Sequence, residues 1–149
     1  MIRLLLVGAL LSPACIDAYE PDVGEPLAVT CFDEDSDPDT PTSFSSDVLP
    51  SFEADGVDCT LCHTAGGANP IGLEVAGLDL GSYNSLRAGG KTSGSNIVIP
   101  GRPCESILLQ KVGSAPPFGA RMPLNGPPYL SRTSWLLLHD WIAEGAENN

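Results

Sequence analysis

The chain has 149 residues, which is enough for one domain with a hydrophobic core. Its 19 Asp and Glu residues outnumber its 7 Lys and Arg residues, and the formal net charge is −12. Such a charge argues against nucleic acid as a partner, because the phosphates would be repelled. The 16 Gly and 14 Pro residues are many for this length, so we expect short helices joined by structured loops.

The first 14 residues predict an export signal, and the protein is therefore expected on the periplasmic side. Arg3 supplies a positive start, and the apolar run from Leu4 to Leu11 is too short to span a bilayer. The following Ser-Pro-Ala-Cys15 resembles a bacterial lipoprotein processing site, which predicts a lipid anchor on Cys15. Ile16 after that cysteine favours the outer membrane. Ordinary cleavage after a small residue is the alternative.

Residues 15–43 are acidic, rich in Pro, Ser and Thr, and without helical or strand periodicity, which predicts a disordered, flexible tether. Its negative charge could attract a basic redox partner, but a solvated acidic linker is the favoured explanation of the composition. Asp33, Asp35, Asp37 and Asp39 alternate as in a calcium loop. The Gly turn and terminal Glu that such a loop needs are missing, which disfavours calcium.

The folded domain is predicted over residues 44–149, with helices and loops and no strand pairing. Its last helix is the clearest, because Ser131 can cap it and Leu130 can pack on Trp135. That helix should end at Gly145 and pack against the first one. The other predicted elements are a short helix around Pro50, irregular chain over 64–80, a helix over 81–88, an extended run over 96–99, a helix over 105–112 and a loop over 115–128.

Cys59, Cys62 and His63 form a Cys-x-x-Cys-His motif, which is the strongest chemical signal in the chain. Two thiols at this spacing can bond to the two vinyl groups of one haem, and the adjacent imidazole can then reach the iron. The motif therefore predicts one covalently bound haem c, with His63 as an axial ligand.

Three other uses of these cysteines each require features beyond the motif. A thioredoxin-like redox pair would need a βαβ setting, and a zinc site would need a second Cys/His pair. A disulfide between Cys59 and Cys62 would be strained and would leave His63 without a role. All three are disfavoured by the predicted all-α fold and the single Cys-x-x-Cys.

Met122 is predicted to be the second axial ligand of the iron. It is the only methionine beyond the signal, and it lies in a Pro-rich loop rather than on a helix face. A lone methionine can also fill a gap in a core. His139 is the rival ligand, but it is expected to be a surface or boundary histidine on the last helix.

A family resemblance rests on three stretches: 48–52 with the Cys-x-x-Cys-His motif, Val98-Ile99-Pro100-Gly101, and 121–131 followed by 141–146. These stretches resemble class I c-type cytochromes, and more closely the cytochrome c-like domains of exported bacterial lipoproteins. The resemblance implies that the first and last helices cross beside the haem, and that His63 and Met122 are its axial ligands. It also implies that the Pro70 carbonyl accepts a hydrogen bond from the ligand imidazole.

The resulting expectation is a mono-haem electron carrier that exchanges electrons with redox proteins and is not an enzyme. A haem enzyme or gas sensor would instead need a labile distal site, and a structural lipoprotein could use the same fold. Cys31 and Cys104 have no place in the haem site, and spare thiols outside the cytoplasm tend to join. We therefore predict a Cys31–Cys104 disulfide, with a buried, unpaired Cys104 as the alternative.

Overall fold

A computed structural model describes residues 31–53 and 56–149 of the chain. Within these ranges the protein is all-α, as the sequence predicts, with short helices and no strand. None of the helices in these ranges is both long and apolar enough to cross a bilayer. The helices are α1 (Leu49–Ser51), α2 (Thr60–His63), α3 (Ile71–Ala76), α4 (Tyr83–Ala88), α5 (Ile107–Val112) and α6 (Arg132–Ala143), with a π-helical turn at Phe44–Val48 and 3-10 turns at Gly94–Ile97 and Pro103–Glu105.

The C-terminal helix α6 organises the core. Ser131 caps it by accepting a hydrogen bond from the Ser134 amide, as predicted. Trp141 on α6 is fully buried, and its ring centroid lies 5.4 Å from that of Phe44 in the π-helical turn. The predicted packing of the last helix against the first helical segment is therefore confirmed. The apolar face of α6 is formed by Trp135, Leu138, Trp141 and Ile142, all of them buried.

Two local predictions fail. Residues 71–76 form α3 instead of irregular chain, and α3 ends at Gly77, whose φ of 68° lies in the left-handed region. Six residues, with Gly72 among them, are too short a pattern for periodicity to reveal a helix. Asn96 and Ile97 belong to a 3-10 turn, so the predicted extended run begins only at Val98.

Residues 31–43 lie against α6 and do not form the free tether predicted for 15–43. The Asp140 carboxylate accepts hydrogen bonds from the Ser36 amide and hydroxyl at 3.0 and 2.6 Å. Glu144 accepts in the same way from the amide and hydroxyl of Thr42. Acidic composition correctly indicated exposure, but it gave no sign of the Ser and Thr donors that bind α6.

The N-terminal segment also reaches the 3-10 turn before α5. Cys31 and Cys104 form a disulfide in the structure, with their Cα atoms 5.6 Å apart. The Cys104 amide donates a hydrogen bond to Asp33 Oδ1 at 3.0 Å. The predicted signal peptide of residues 1–14 and the lipid anchor at Cys15 lie outside the described residues.

Candidate functional site

Helix α2 brings Cys59, Cys62 and His63 together in a single turn. Asp58 holds the start of this turn, because its carboxylate accepts hydrogen bonds from the Thr60 hydroxyl at 2.7 Å and from the Leu61 amide at 3.0 Å. The bond from Thr60 and then that from Leu61 lower the pKa of Asp58. A charged carboxylate therefore caps the helix at neutral pH.

The loop after α2 folds back over the helix. The Asn69 amide donates to the Leu61 carbonyl at 3.1 Å. A Cβ atom on Gly67 would lie 2.3 Å from that carbonyl oxygen, so only glycine allows the loop to approach this closely. The loop thereby leads the chain from His63 into α3, which packs beside α2.

The imidazole of His63 is oriented by the Leu78 carbonyl, which lies 3.2 Å from Nδ1. A carbonyl oxygen can only accept, so Nδ1 carries the hydrogen and Nε2 keeps its lone pair in the neutral ring. The backbone of the same segment is fixed as well, because the Leu80 amide donates to the His63 carbonyl at 2.8 Å. The neutral ring therefore has Nε2 as its only nitrogen able to coordinate a metal.

Pro70 does not accept the imidazole hydrogen bond that the resemblance implied. Pro70 is instead the N-cap of α3, and its carbonyl accepts a hydrogen bond from the Glu74 amide at 2.9 Å, the first hydrogen bond of that helix. Leu78 takes the role instead because Gly77 ends α3 and turns the chain back toward His63. The sequence held no signal for Leu78, since a backbone carbonyl leaves no residue preference behind.

Gly72 on α3 provides the space for the His63 ring. A Cβ atom at this position would lie 2.7 Å from both Nε2 and Cε1 of the imidazole, and 2.9 Å from the Cys62 carbonyl. Real Cβ contacts are never this short, so the ring or the helix would have to move. Glycine at this position therefore allows α3 to pack directly on the Cε1–Nε2 edge of His63.

The thiols of the motif are both free, and they differ from those of a redox pair. Burial, followed by the negative charge of Asp58, raises the pKa of the Cys59 thiol to about 11. Thiol–disulfide exchange catalysts instead depend on a cysteine of lowered pKa. Cys59 is accordingly a neutral thiol at pH 7, which disfavours the redox-pair interpretation.

Met122 lies in a long loop of residues 113–131 between α5 and α6, which we call the methionine loop. Met122 is partly buried against the hydrophobic core, and its amide donates to the Lys111 carbonyl at 2.8 Å. Farther along, Pro128 Cγ comes within 3.9 Å of the Cβ position of Gly56, three residues before Cys59. The loop is thus in contact with the chain that leads into α2.

Four large apolar side chains on α2, α3 and the methionine loop are exposed. Leu124, two positions after Met122, is 72% exposed, and Val75 on α3 is 68% exposed. Leu61, between the two cysteines, and Ile71, which begins α3, are exposed to a smaller extent. Exposed apolar side chains on the elements that carry the motif and Met122 are candidates for contact with an apolar ligand.

His139 is fully buried, contrary to the prediction of a surface or boundary histidine. Its Nε2 donates to the Phe32 carbonyl at 2.6 Å, and its Nδ1 lies 2.7 Å from Asp140 Oδ1. Trp135 stacks on the ring with centroids 5.3 Å apart. Nε2 thus binds the N-terminal segment and Nδ1 faces Asp140 on α6 itself, so the surroundings of His139 are those of a structural residue.

Comparisons with protein-family models, with curated proteins and with solved structures give no match. Within residues 31–53 and 56–149, no group of three or more His, Cys, Asp and Glu side chains is arranged to hold a metal ion. The site itself offers two free thiols, one oriented imidazole and one thioether on a loop that is hydrogen-bonded to α5.

Proposed function

We propose that this protein is an exported mono-haem c-type cytochrome with a cytochrome c-like fold. Cys59 and Cys62 would hold the haem through two thioether bonds, and His63 and Met122 would be the axial ligands of its iron. The observation that carries the proposal is the orientation of His63. Its Nδ1 faces the Leu78 carbonyl at 3.2 Å, which leaves the lone pair on Nε2 to ligate iron one residue after the second cysteine. Helix α3 packs on this edge of the ring at Gly72 and would have to shift to admit the haem.

The donor set also fits haem in its chemistry. A thioether and an imidazole are suitable ligands for haem iron, and a thioether favours the ferrous state. Leu61 on α2, Ile71 and Val75 on α3, and Leu124 on the methionine loop are exposed and would supply apolar surface to a porphyrin. When bound, haem supplies reversible one-electron exchange between ferrous and ferric iron.

The chain's own residues would then act by holding and shielding the group. Leu78 fixes the ring of His63, and its carbonyl makes the imidazole a stronger donor. Gly72 keeps a side chain away from the Nε2 edge that would face the iron, and the methionine loop would present Met122. With both axial positions filled by side chains, no site remains for a substrate, and the protein would carry electrons without being an enzyme.

Its partners would be other redox proteins, and a basic partner would be attracted by the net charge of −12. Export and attachment to the outer membrane through a lipid on Cys15 complete the proposal. The Cys31–Cys104 disulfide agrees with an oxidising compartment outside the cytoplasm.

Absorption spectroscopy of the purified protein tests the ligand assignment. The ferric protein should show the weak far-red charge-transfer band of methionine-ligated haem, and the ferrous protein should not bind carbon monoxide. Met122→Ala should remove the band, lower the reduction potential and open the iron to carbon monoxide. His139→Ala is the control and should leave the band unchanged. A wild-type iron that binds carbon monoxide would favour a haem enzyme or gas sensor instead.

A further inference from the structure

The methionine loop is 19 residues long and contains no helix or strand, as residues 113–131 all lie between α5 and α6. Loops of this length are usually mobile unless other parts of the protein hold them. An axial methionine must nevertheless stay within bonding distance of the iron. The contacts that hold this loop therefore decide whether Met122 can act as a ligand.

These contacts converge on the last turn of α5. The ammonium group of Lys111 donates to the Phe118 carbonyl at 2.8 Å and also to the Ala120 carbonyl. Its Nζ lies 5.0 Å from the centroid of the Phe118 ring. The backbone carbonyl of the same lysine accepts the Met122 amide at 2.8 Å. A single residue thus binds the loop at three points within five positions.

Arg121 makes a second attachment, immediately before the methionine. Its Nε donates to the Val112 carbonyl at 3.0 Å, at the end of α5. Its guanidinium carbon lies 3.9 Å from the centroid of the Tyr129 ring, near the far end of the loop. Both cationic side chains satisfy backbone carbonyls that helix and loop ends would otherwise leave to water.

We propose that Lys111 and Arg121 are positioning residues that hold Met122 in place as the axial ligand. Neither touches the haem in this account, and both act through the backbone of the methionine loop. Loss of the Lys111 ammonium would free residues 118–120 and let Met122 leave the iron more often. The inference rests on the proposed function, because it concerns the same iron ligand.

The test compares Lys111→Met with Lys91→Met in the haem-loaded protein. Lys91 is a matched control, because its ammonium also donates to two backbone carbonyls, those of Glu74 at 2.8 Å and Val75 at 3.0 Å, but on α3. The rate of cyanide binding to ferric iron reports how often Met122 dissociates from the iron, and the far-red band reports the fraction of iron to which Met122 is bound. Lys111→Met should bind cyanide at least tenfold faster and weaken the band, whereas Lys91→Met should match wild type.

Lys111→Arg keeps a cationic donor at this position and should restore most of the slow cyanide binding. If Lys111→Met fails to fold, Arg121→Gln tests the loop through its second attachment. Arg121→Gln is expected to speed cyanide binding in the same direction. Rates within twofold of wild type for both Lys111→Met and Arg121→Gln would overturn the inference while leaving Met122 as the ligand. A wild-type protein without haem, or without the far-red band, would instead refute the proposed function and the inference with it.

Discussion

At the scale of single residues, the environment of His63 depends on two backbone features. The Leu78 carbonyl selects the tautomer of the ring, and Gly72 gives the ring its space. The motif of two cysteines and a histidine predicted which side chains meet, because their spacing is fixed by chemistry. The motif could not show that the carbonyl facing His63 belongs to Leu78 and not to Pro70. Every residue type has the same backbone carbonyl, and only the path of the chain decides which one faces the ring.

Gly72→Ala tests the close approach of α3 to His63. Alanine is the better helix former, but its Cβ would lie 2.7 Å from two atoms of a ring that Leu78 holds in place. We expect the clash to outweigh helix propensity and to lower the free energy of unfolding by about 1–3 kcal/mol. Denaturant titration of the protein without haem measures this directly.

Gly66→Ala is the matched control for that substitution. Its added Cβ would meet nothing within 4 Å, and the position has no left-handed backbone conformation. We expect a change in unfolding free energy of less than about 0.5 kcal/mol. Equal stabilities for the two alanine variants would show that Gly72 is not closely packed on His63.

At the scale of elements, α6 packs its apolar face on the core and binds residues 31–43 through its polar residues. Amphipathic periodicity and a serine cap predicted α6 well, because a long helix repeats its pattern several times. The short α3 was not predicted, because a helix of six residues does not repeat its pattern. The packing of residues 31–43 was not predicted, because it depends on a few specific hydrogen bonds, such as those from Ser36 and Thr42, which composition does not reveal.

Asp140 should make the stability of this arrangement depend on pH. Burial raises the pKa of Asp140, but hydrogen bonds from Ser36 and His139 outweigh burial and hold it below its ordinary value of 3.8. A lowered pKa stabilises the folded state above pH 3.8, and this contribution is lost as the pH falls through the folded value. The Asp140 carboxylate therefore stabilises the folded state at pH 5, and this stabilisation is lost in strong acid.

Asp140→Asn should lower the free energy of unfolding by about 1–3 kcal/mol at pH 5, because the amide satisfies fewer donors than the carboxylate. The difference from wild type should shrink as the pH falls below 3.8. Denaturant titrations across this pH range measure it, with the exposed Asp39→Asn as the control. A difference that stays constant into strong acid would contradict the assignment of an ionised Asp140 in the fold.

At the scale of the whole molecule, the Cys31–Cys104 disulfide links the N-terminal segment to the region before α5. It closes a loop with a sequence separation of 73 residues, which includes the Cys-x-x-Cys-His motif. The sequence favoured this pairing over an unpaired Cys104, because the motif accounts for Cys59 and Cys62 and the predicted lipid anchor for Cys15. The all-α class was likewise predictable, from short helical patterns and the absence of strand signals.

Removing the disulfide by Cys31→Ala with Cys104→Ala should lower the unfolding free energy by up to about 4 kcal/mol, since the unfolded chain gains the entropy of an open loop. Thermal unfolding followed by circular dichroism measures the loss. Reductant should destabilise the wild-type protein toward the same value and leave the double variant unchanged. Identical unfolding of wild type and variant under oxidising conditions would show that the two thiols are not joined in the protein.

The whole proposed function depends on covalent attachment of haem to Cys59 and Cys62, and the intact mass of the denatured protein measures that attachment directly. The chain should be exported from a host that matures c-type cytochromes, with a known cytochrome expressed in parallel to show that maturation works. We expect the mass of the processed chain plus one haem, and the processed chain alone for Cys59→Ala with Cys62→Ala. A wild-type protein with only the mass of the chain, beside a fully loaded parallel cytochrome, would contradict the account.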